Sequence, residues 1–318
     1  MNLTVYHLRF TLRADTLVHF GPQAGAQLRG ALWSALQSFA CVAPVAQGDP
    51  NHAQHCPMCR LMALESNISP RGVNPPRPFA IRPPQQTWAG SDQHFRPGDV
   101  FTFGISLYGD VVDLFPYVAQ AVHRMGQDGV GYGRGCFSLA QVEVVNPLTG
   151  EEAALLAKRR VAKPDLPVTA EQVQVAAKQV PCDRLRLRFL TPLEIQHQGR
   201  PLDTPVFVAI LGRLLERCQG IELHYTADDP TPQAEWRSRY LTLTAAAKDV
   251  VLVTDQTRWV RVQSGSRRTN SRNSVSGFVG EAEFVGNLEP FREWLVWGIQ
   301  LHVGKNAVKG NGWYEIVT

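Results

Sequence analysis

The chain has 318 residues, a length at which two domains of about 150 residues each are expected, and its 44% hydrophobic content suffices for packed cores. Nowhere do roughly 18 apolar residues run together, and the opening Met1-Asn-Leu-Thr-Val-Tyr-His7 lacks the charged and apolar regions of a signal peptide, so a soluble cytoplasmic protein without membrane contact is expected. The net charge of +4 is modest and carries information only through its distribution.

Residues 3–14 alternate, with Leu8, Phe10 and Leu12 on one side and His7, Arg9 and Thr11 on the other, which predicts a strand. After the turn signals Gly21-Pro22 and Gly25, residues 27–39 place Leu28, Leu32, Leu36 and Phe39 at helical spacing. A cysteine-bearing insertion occupies 41–65. Strands at 77–81 and 100–108, a helix at 113–125, the turn Gly129-Val-Gly131-Tyr-Gly133-Arg134-Gly135 and a strand at 137–145 complete the first half. Strand, helix, two strands, helix, strand is the order of a split βαβ, or ferredoxin-like, unit.

Residues 147–181, with Pro147, Pro164, Pro167 and Pro181, read as a linker holding one short helix. A second unit opens at 183–190, where period-two alternation puts Arg184, Arg186 and Arg188 on one face of a strand. Helices follow at 204–218 and 233–247. Strands at 259–262 and 275–284 flank a polar hairpin tip carrying Arg267, Arg268 and Arg272, and a helix at 288–297 precedes a last strand at 313–317. The predicted fold is α+β: tandem ferredoxin-like (RRM-like) domains at 1–146 and 182–318, with the insertion in the first.

Between the last helix and strand runs Gly298-Ile-Gln-Leu-His302-Val-Gly304-Lys305-Asn-Ala-Val-Lys309-Gly310-Asn-Gly312-Trp-Tyr314. Glycines let main chain approach a ligand, and flanking ammonium groups make phosphate the natural one. No Asp or Glu lies between Asp255 and Glu281, a window with five arginines, and none between Glu65 and Asp92, a window with Arg71, Arg77 and Arg82. Both favour a polyanionic partner.

Among the six cysteines, Cys56-Pro-Met-Cys59 has the spacing of a zinc knuckle. Cys41 and one histidine complete a tetrahedron. The set taken forward is Cys41, His55, Cys56 and Cys59, although His52 is also placed to turn inward. Four protein ligands make a structural Zn²⁺ rather than a catalytic one.

The tandem units, the first helix Leu28-Arg29-Gly30-Ala31-Leu32-Trp33, the glycine turn at 129–135, the Phe189-Leu-Thr-Pro-Leu193 segment and the terminal glycine loop together resemble CRISPR-associated RAMP proteins. The similarity is greatest to the endoribonucleases that process precursor CRISPR RNA. It implies metal-independent cleavage of repeat RNA, in which a ribose 2′-hydroxyl attacks the adjacent phosphate and leaves a cyclic phosphate and a 5′-hydroxyl. It also implies repeat RNA as partner, with other CRISPR effector or adaptation proteins as further ones. The alternative it leaves open is a non-catalytic subunit that binds the crRNA tag. His19, after the first strand, lies near where such nucleases keep their histidine and is the first candidate acid or base. His302 is the second, His197 a third, and Lys305 is placed to stabilise charge. Candidate RNA ligands are Arg29, Arg184, Arg186, Arg188, Arg267, Arg268, Arg272, Gly304, Lys305, Lys309, Gly310 and Gly312.

Overall fold

A computed structural model describes residues 1–43, 49–63, 75–85, 91–157, 160–197, 200–226, 230–266 and 271–317. In the first half β1 (Val5–Ala14) leads through β2 (Val18–Phe20) to α1 (Ala24–Phe39), then α2 (Pro50–His55), α3 (Pro57–Met62), β3 (Phe79–Arg82), β4 (Gln93–Phe95), β5 (Val100–Tyr108), α4 (Phe115–Asp128), β6 (Phe137–Val145) and β7 (Glu152–Ala154). The main sheet is antiparallel in the order β3-β5-β1-β6-β7. Cross-strand pairing puts Leu8 against Ile105 and Phe10 against Phe103, so one sheet face is continuously apolar. That face is covered by α1, through Leu28, Leu32 and Leu36, and by α4, through Val118, Val122 and Met125.

The second half repeats the plan. α5 (Ala170–Ala177) is followed by β8 (Arg184–Leu193), α6 (Phe207–Tyr225), α7 (Gln233–Ala246), β9 (Val251–Val260), β10 (Gln263–Ser266), β11 (Ser271–Ser274), β12 (Gly277–Val285), α8 (Arg292–Leu301) and β13 (Tyr314–Val317). Its sheet is ordered β9-β12-β8-β13, the same arrangement of first, second, third and fourth strands as in the first sheet. Leu185, Leu187 and Phe189 face α6 and α8, and all three are buried. Both halves are therefore ferredoxin-like, and the α+β class expected from the pattern is present.

Within the segment expected as a linker, several described parts pack against the two halves. β7 extends the first sheet, Val5 and Val168 exchange backbone hydrogen bonds, and α5 lies against α8. A capping box at Thr169, whose hydroxyl accepts from Gln172 N while Gln172 Oε1 accepts from Thr169 N, starts that helix.

The halves meet across a polar seam. His7 on β1 contacts Ser106 Oγ and Gln300 Oε1, each at 2.7 Å. Arg217 on α6 donates to the Tyr108 hydroxyl at 3.2 Å, and Arg82 on β3 donates to the Ile299 carbonyl at 3.0 Å. This seam carries the end of α8 into the glycine loop.

Candidate active site

β2 and β4 form a two-stranded ribbon in which His19 stands directly opposite His94. Val18, Phe20, Gln93 and Phe95 point into the protein, so His19 and His94 are turned outward. The two imidazoles stack with centroids 4.0 Å apart, and Tyr132 meets His19 edge-on at 5.0 Å. His19 Nε2 donates to Asp92 Oδ2 at 2.7 Å. The glycine turn after α4 sets this geometry: Tyr132 N donates to the His19 carbonyl at 2.8 Å, and Gly131, at φ +69°, has room for no Cβ, which would lie 2.1 Å from that same carbonyl.

Tyr132 links the ribbon to the start of α1. Its hydroxyl accepts from Gln23 Nε2 at 2.8 Å, and Gln23 precedes the helix without capping it, so the first-turn N–H groups receive no side-chain cap from it. A cleft opens there, between residues 23–26, 83–85 and 309–311, with Thr191 on its floor. Gly25 holds two of these walls together, because a Cβ on it would sit 2.0 Å from the Lys309 carbonyl. Burial first, and then the nearby charges of Arg29 and Lys305, hold the Lys309 ammonium below its ordinary pKa. A helix N-terminus with cations crowded beside it attracts an anion.

The other expected residues are placed as follows. Lys305 is half exposed and its ammonium donates to Glu194 at 2.9 Å. Arg29 is partly buried on α1. Gly304, Gly310 and Gly312 all have positive φ, and a Cβ on each would approach Glu194 O, Ile81 O or Val303 O within 3 Å. Their first requirement is thus the protein's own packing, which differs from the expectation that they leave space for a ligand.

His302 departs further from its expected role. It is fully buried, stacked parallel to Trp313 at 6.0 Å, with both ring nitrogens sealed from solvent and at most a weak approach from the Asn311 backbone. A ring enclosed in this way reaches no ribose or phosphate, so the catalytic assignment is corrected to a core histidine. The second correction concerns Arg184, Arg186 and Arg188. They do share the open face of β8, but β12 and β13 bring Glu283, Glu281 and Glu315 alongside, with Arg184–Glu283 at 3.0 Å, Arg186–Glu283 at 3.7 Å and Arg188–Glu281 at 2.8 Å. The face is a charge-compensated ladder. Replacing all three arginines with alanine is expected to leave the salt slope of RNA binding within about one unit of wild type; binding measured against salt concentration checks this.

Arg267 and Arg268 lie outside the described residues, and Arg272 is placed only as part of β11. His197 sits in a short segment whose backbone pairs with that of Arg200.

Cys41, Cys56 and Cys59 converge, but the histidine beside them is His52. Cys41 Sγ lies 3.6 Å from His52 Nε2, and the four donor atoms fall within 4.8 Å of one another. His55 is corrected out of the set: it is exposed at the end of α2 and its Nδ1 donates to the Asn51 carbonyl at 2.9 Å. Burial, then the Cys56 and Cys41 thiols, push Cys59 up to about 12. A buried thiol in such company deprotonates when a cation enters. The donor set fits tetrahedral zinc.

Residues 187–314 match the family model described as CRISPR-associated endoribonuclease Cas6, and residues 3–166 match a second family model described as an N-terminal domain. The Cas6 model thus covers the carboxy-terminal part of the chain and the second model the amino-terminal part. No curated protein matches it. Among solved structures it is similar to a product complex of Cas6 (TTHB231), at 18% identity over 99% of both chains with a TM-score of 0.58. The Thermus thermophilus Cas6 (TTHB231) structure gives 15% identity over 99% of both chains and a TM-score of 0.57. A Cas6-RT-Cas1–Cas2 complex gives 11% identity and a TM-score of 0.61, with the match covering 99% of this chain and 46% of that one. At these identities the similarity concerns the fold.

Asp92, His94 and Tyr132 were not singled out by sequence reasoning. Asp92 stands just ahead of the three-residue strand β4, whose brevity gives no alternation to mark the histidine at its centre.

Proposed function

We propose that this protein is the endoribonuclease that cuts precursor CRISPR RNA at its repeats, through attack of a 2′-hydroxyl on the neighbouring phosphate. The observation that carries this is the placement of an outward-facing, carboxylate-anchored imidazole, His19, beside a cleft lined by a helix N-terminus and Lys309. With Nε2–H committed to Asp92, Nδ1 of His19 keeps its lone pair and serves as the base for the ribose hydroxyl. The Lys309 ammonium and the first turn of α1 meet the phosphate, whose charge rises in the transition state. Arg29 lies close enough to Lys309 to add to that field. Lys305 joins them once a phosphate displaces Glu194.

Repeat RNA is the proposed partner, supported by the match of residues 187–314 to the Cas6 family model and by the product complex of a similar Cas6. Association with adaptation proteins is a second proposed partnership, suggested by the Cas6-RT-Cas1–Cas2 assembly. The working division is residues 1–146 and 182–318 as two RNA-embracing domains joined by 147–181. The cytoplasm is the proposed place of action. Among the described residues no helix is long and apolar enough to cross a membrane.

Purified protein mixed with labelled repeat RNA in EDTA is expected to give one product ending in a cyclic phosphate. Stable binding with no product would replace this reading with that of a non-catalytic crRNA-binding subunit. Zinc is proposed as a structural ion held by Cys41, His52, Cys56 and Cys59, where it would tie the end of α1 to α2 and α3. Elemental analysis of protein purified without added metal is expected to show about one zinc per chain, and Cys59→Ser to lower that content and the thermal midpoint together.

A further inference from the structure

We propose that His19, Asp92 and His94 form a second metal site, one that takes a divalent transition ion of the zinc class and silences cleavage when filled. This builds on the reading of His19 as the base, but the site itself stands on independent geometry.

Three features of the ribbon produce it. Antiparallel pairing of β2 with β4 sets His19 opposite His94. Asp92 immediately precedes β4, and its carboxylate reaches the outward side of the ribbon, where it meets His19. The inward partners on both strands are buried, which fixes the outward direction of the two imidazoles. One ligand atom from each residue lies within 4.8 Å of the others, and His19 Nε2 and Asp92 Oδ2 are already 2.7 Å apart. Tetrahedral zinc with bonds of about 2.0–2.1 Å needs donors roughly 3.3 Å apart, so modest side-chain rotations of the exposed His94 and Asp92 close the set.

Two imidazoles and a carboxylate suit zinc, nickel or copper rather than magnesium or calcium. Three protein ligands leave a position for water, and the partial exposure of His19 with the greater exposure of His94 gives the ion a way in. This distinguishes the site from the Cys41–His52–Cys56–Cys59 cluster, whose four donors fill the coordination shell.

Silencing follows from tautomer chemistry. A metal on Nε2 takes the lone pair there and excludes the proton now shared with Asp92, so the neutral ring carries its single proton on Nδ1. No lone pair then faces the ribose hydroxyl, and the base is lost without any change of fold.

The test uses the whole chain, with the cysteine cluster first filled by one equivalent of Zn²⁺. Calorimetric titration with further Zn²⁺ is expected to show one additional site per chain, and His94→Ala and Asp92→Asn are each expected to weaken it at least about tenfold. Unchanged circular dichroism and retained RNA binding exclude misfolding of the variants. Cleavage by the wild type is expected to stop as the second site fills and to return on adding EDTA, whereas His94→Ala needs at least about tenfold more Zn²⁺ for the same inhibition. No second site, or equal affinity in all three proteins, overturns the proposal. If the second ion binds and cleavage continues, the silencing is overturned along with the role of His19, while the ion site stands.

Discussion

His19→Ala is expected to reduce single-turnover cleavage of repeat RNA by about 10²–10⁴-fold, the usual worth of a positioned acid or base, while leaving RNA affinity within about twofold. The split is expected because Lys309 and Arg29, rather than His19, supply the attraction for phosphate. A filter-binding isotherm and a time course with labelled RNA measure the two quantities separately. Cleavage unimpaired in the variant removes His19 from the mechanism. Asp92→Asn is expected to give a loss of comparable size, because the amide no longer steadies a developing imidazolium and its NH2 can hold the ring in the wrong tautomer.

Much of the fold was legible because its strands are buried on one side. The alternation in β1, β5 and β6 is forced by α1 and α4 covering a single face, and the boundaries of β5 and β6 follow directly from it. β9 was legible only at its carboxyl end. Residues 251–257 lie on the sheet edge with nearly every side chain exposed, so no burial pattern marks them. The site was harder to read for a related reason. Which carboxylates face Arg184, Arg186 and Arg188 depends on the register of β12 and β13, and register is a property of paired strands that no single strand displays. The choice between His52 and His55 turned on the direction in which one short helix presents its side chains. His19 was found from its position after the first strand, but His94 and Asp92 reach it only through the pairing of two three-residue strands, with 73 positions separating His19 from Asp92. The glycine turn was recognised as a turn, and its role in aiming Tyr132 at His19 became visible only with the contacts.

His302→Phe is expected to retain cleavage and to make the fold less sensitive to acid. The His302 ring is enclosed against Trp313, over which the Arg82 guanidinium lies 5.3 Å from the ring centroid. Burial first, then Arg82 and Arg217, hold the His302 pKa well below the ordinary value. His7 is depressed in the same way, by burial and then Arg82, while its neutral ring accepts from Ser106 and donates to Gln300 across the seam. A histidine whose folded pKa lies below its unfolded one stabilises the fold fully above about pH 6.5, and that contribution is lost as pH falls from there toward the folded value. Within this window each such residue costs about 1.4 kcal/mol per pH unit, so the pair gives a slope of about 2.7 kcal/mol per unit. A phenylalanine at this position fills a similar volume, keeps the stack and removes half of that slope. Urea midpoints at about pH 7.5, 6 and 5 for both proteins, bracketing the ordinary histidine pKa, measure it. A main chain at φ 61° and ψ 167° makes His302 a strained helix end as well, a conformation costing about 1–3 kcal/mol that phenylalanine shares, so the comparison isolates the titrating ring from the backbone. If the phenylalanine variant folds, binds RNA and fails to cut, His302 returns as a catalytic group and the division of labour between the two histidines must be reversed.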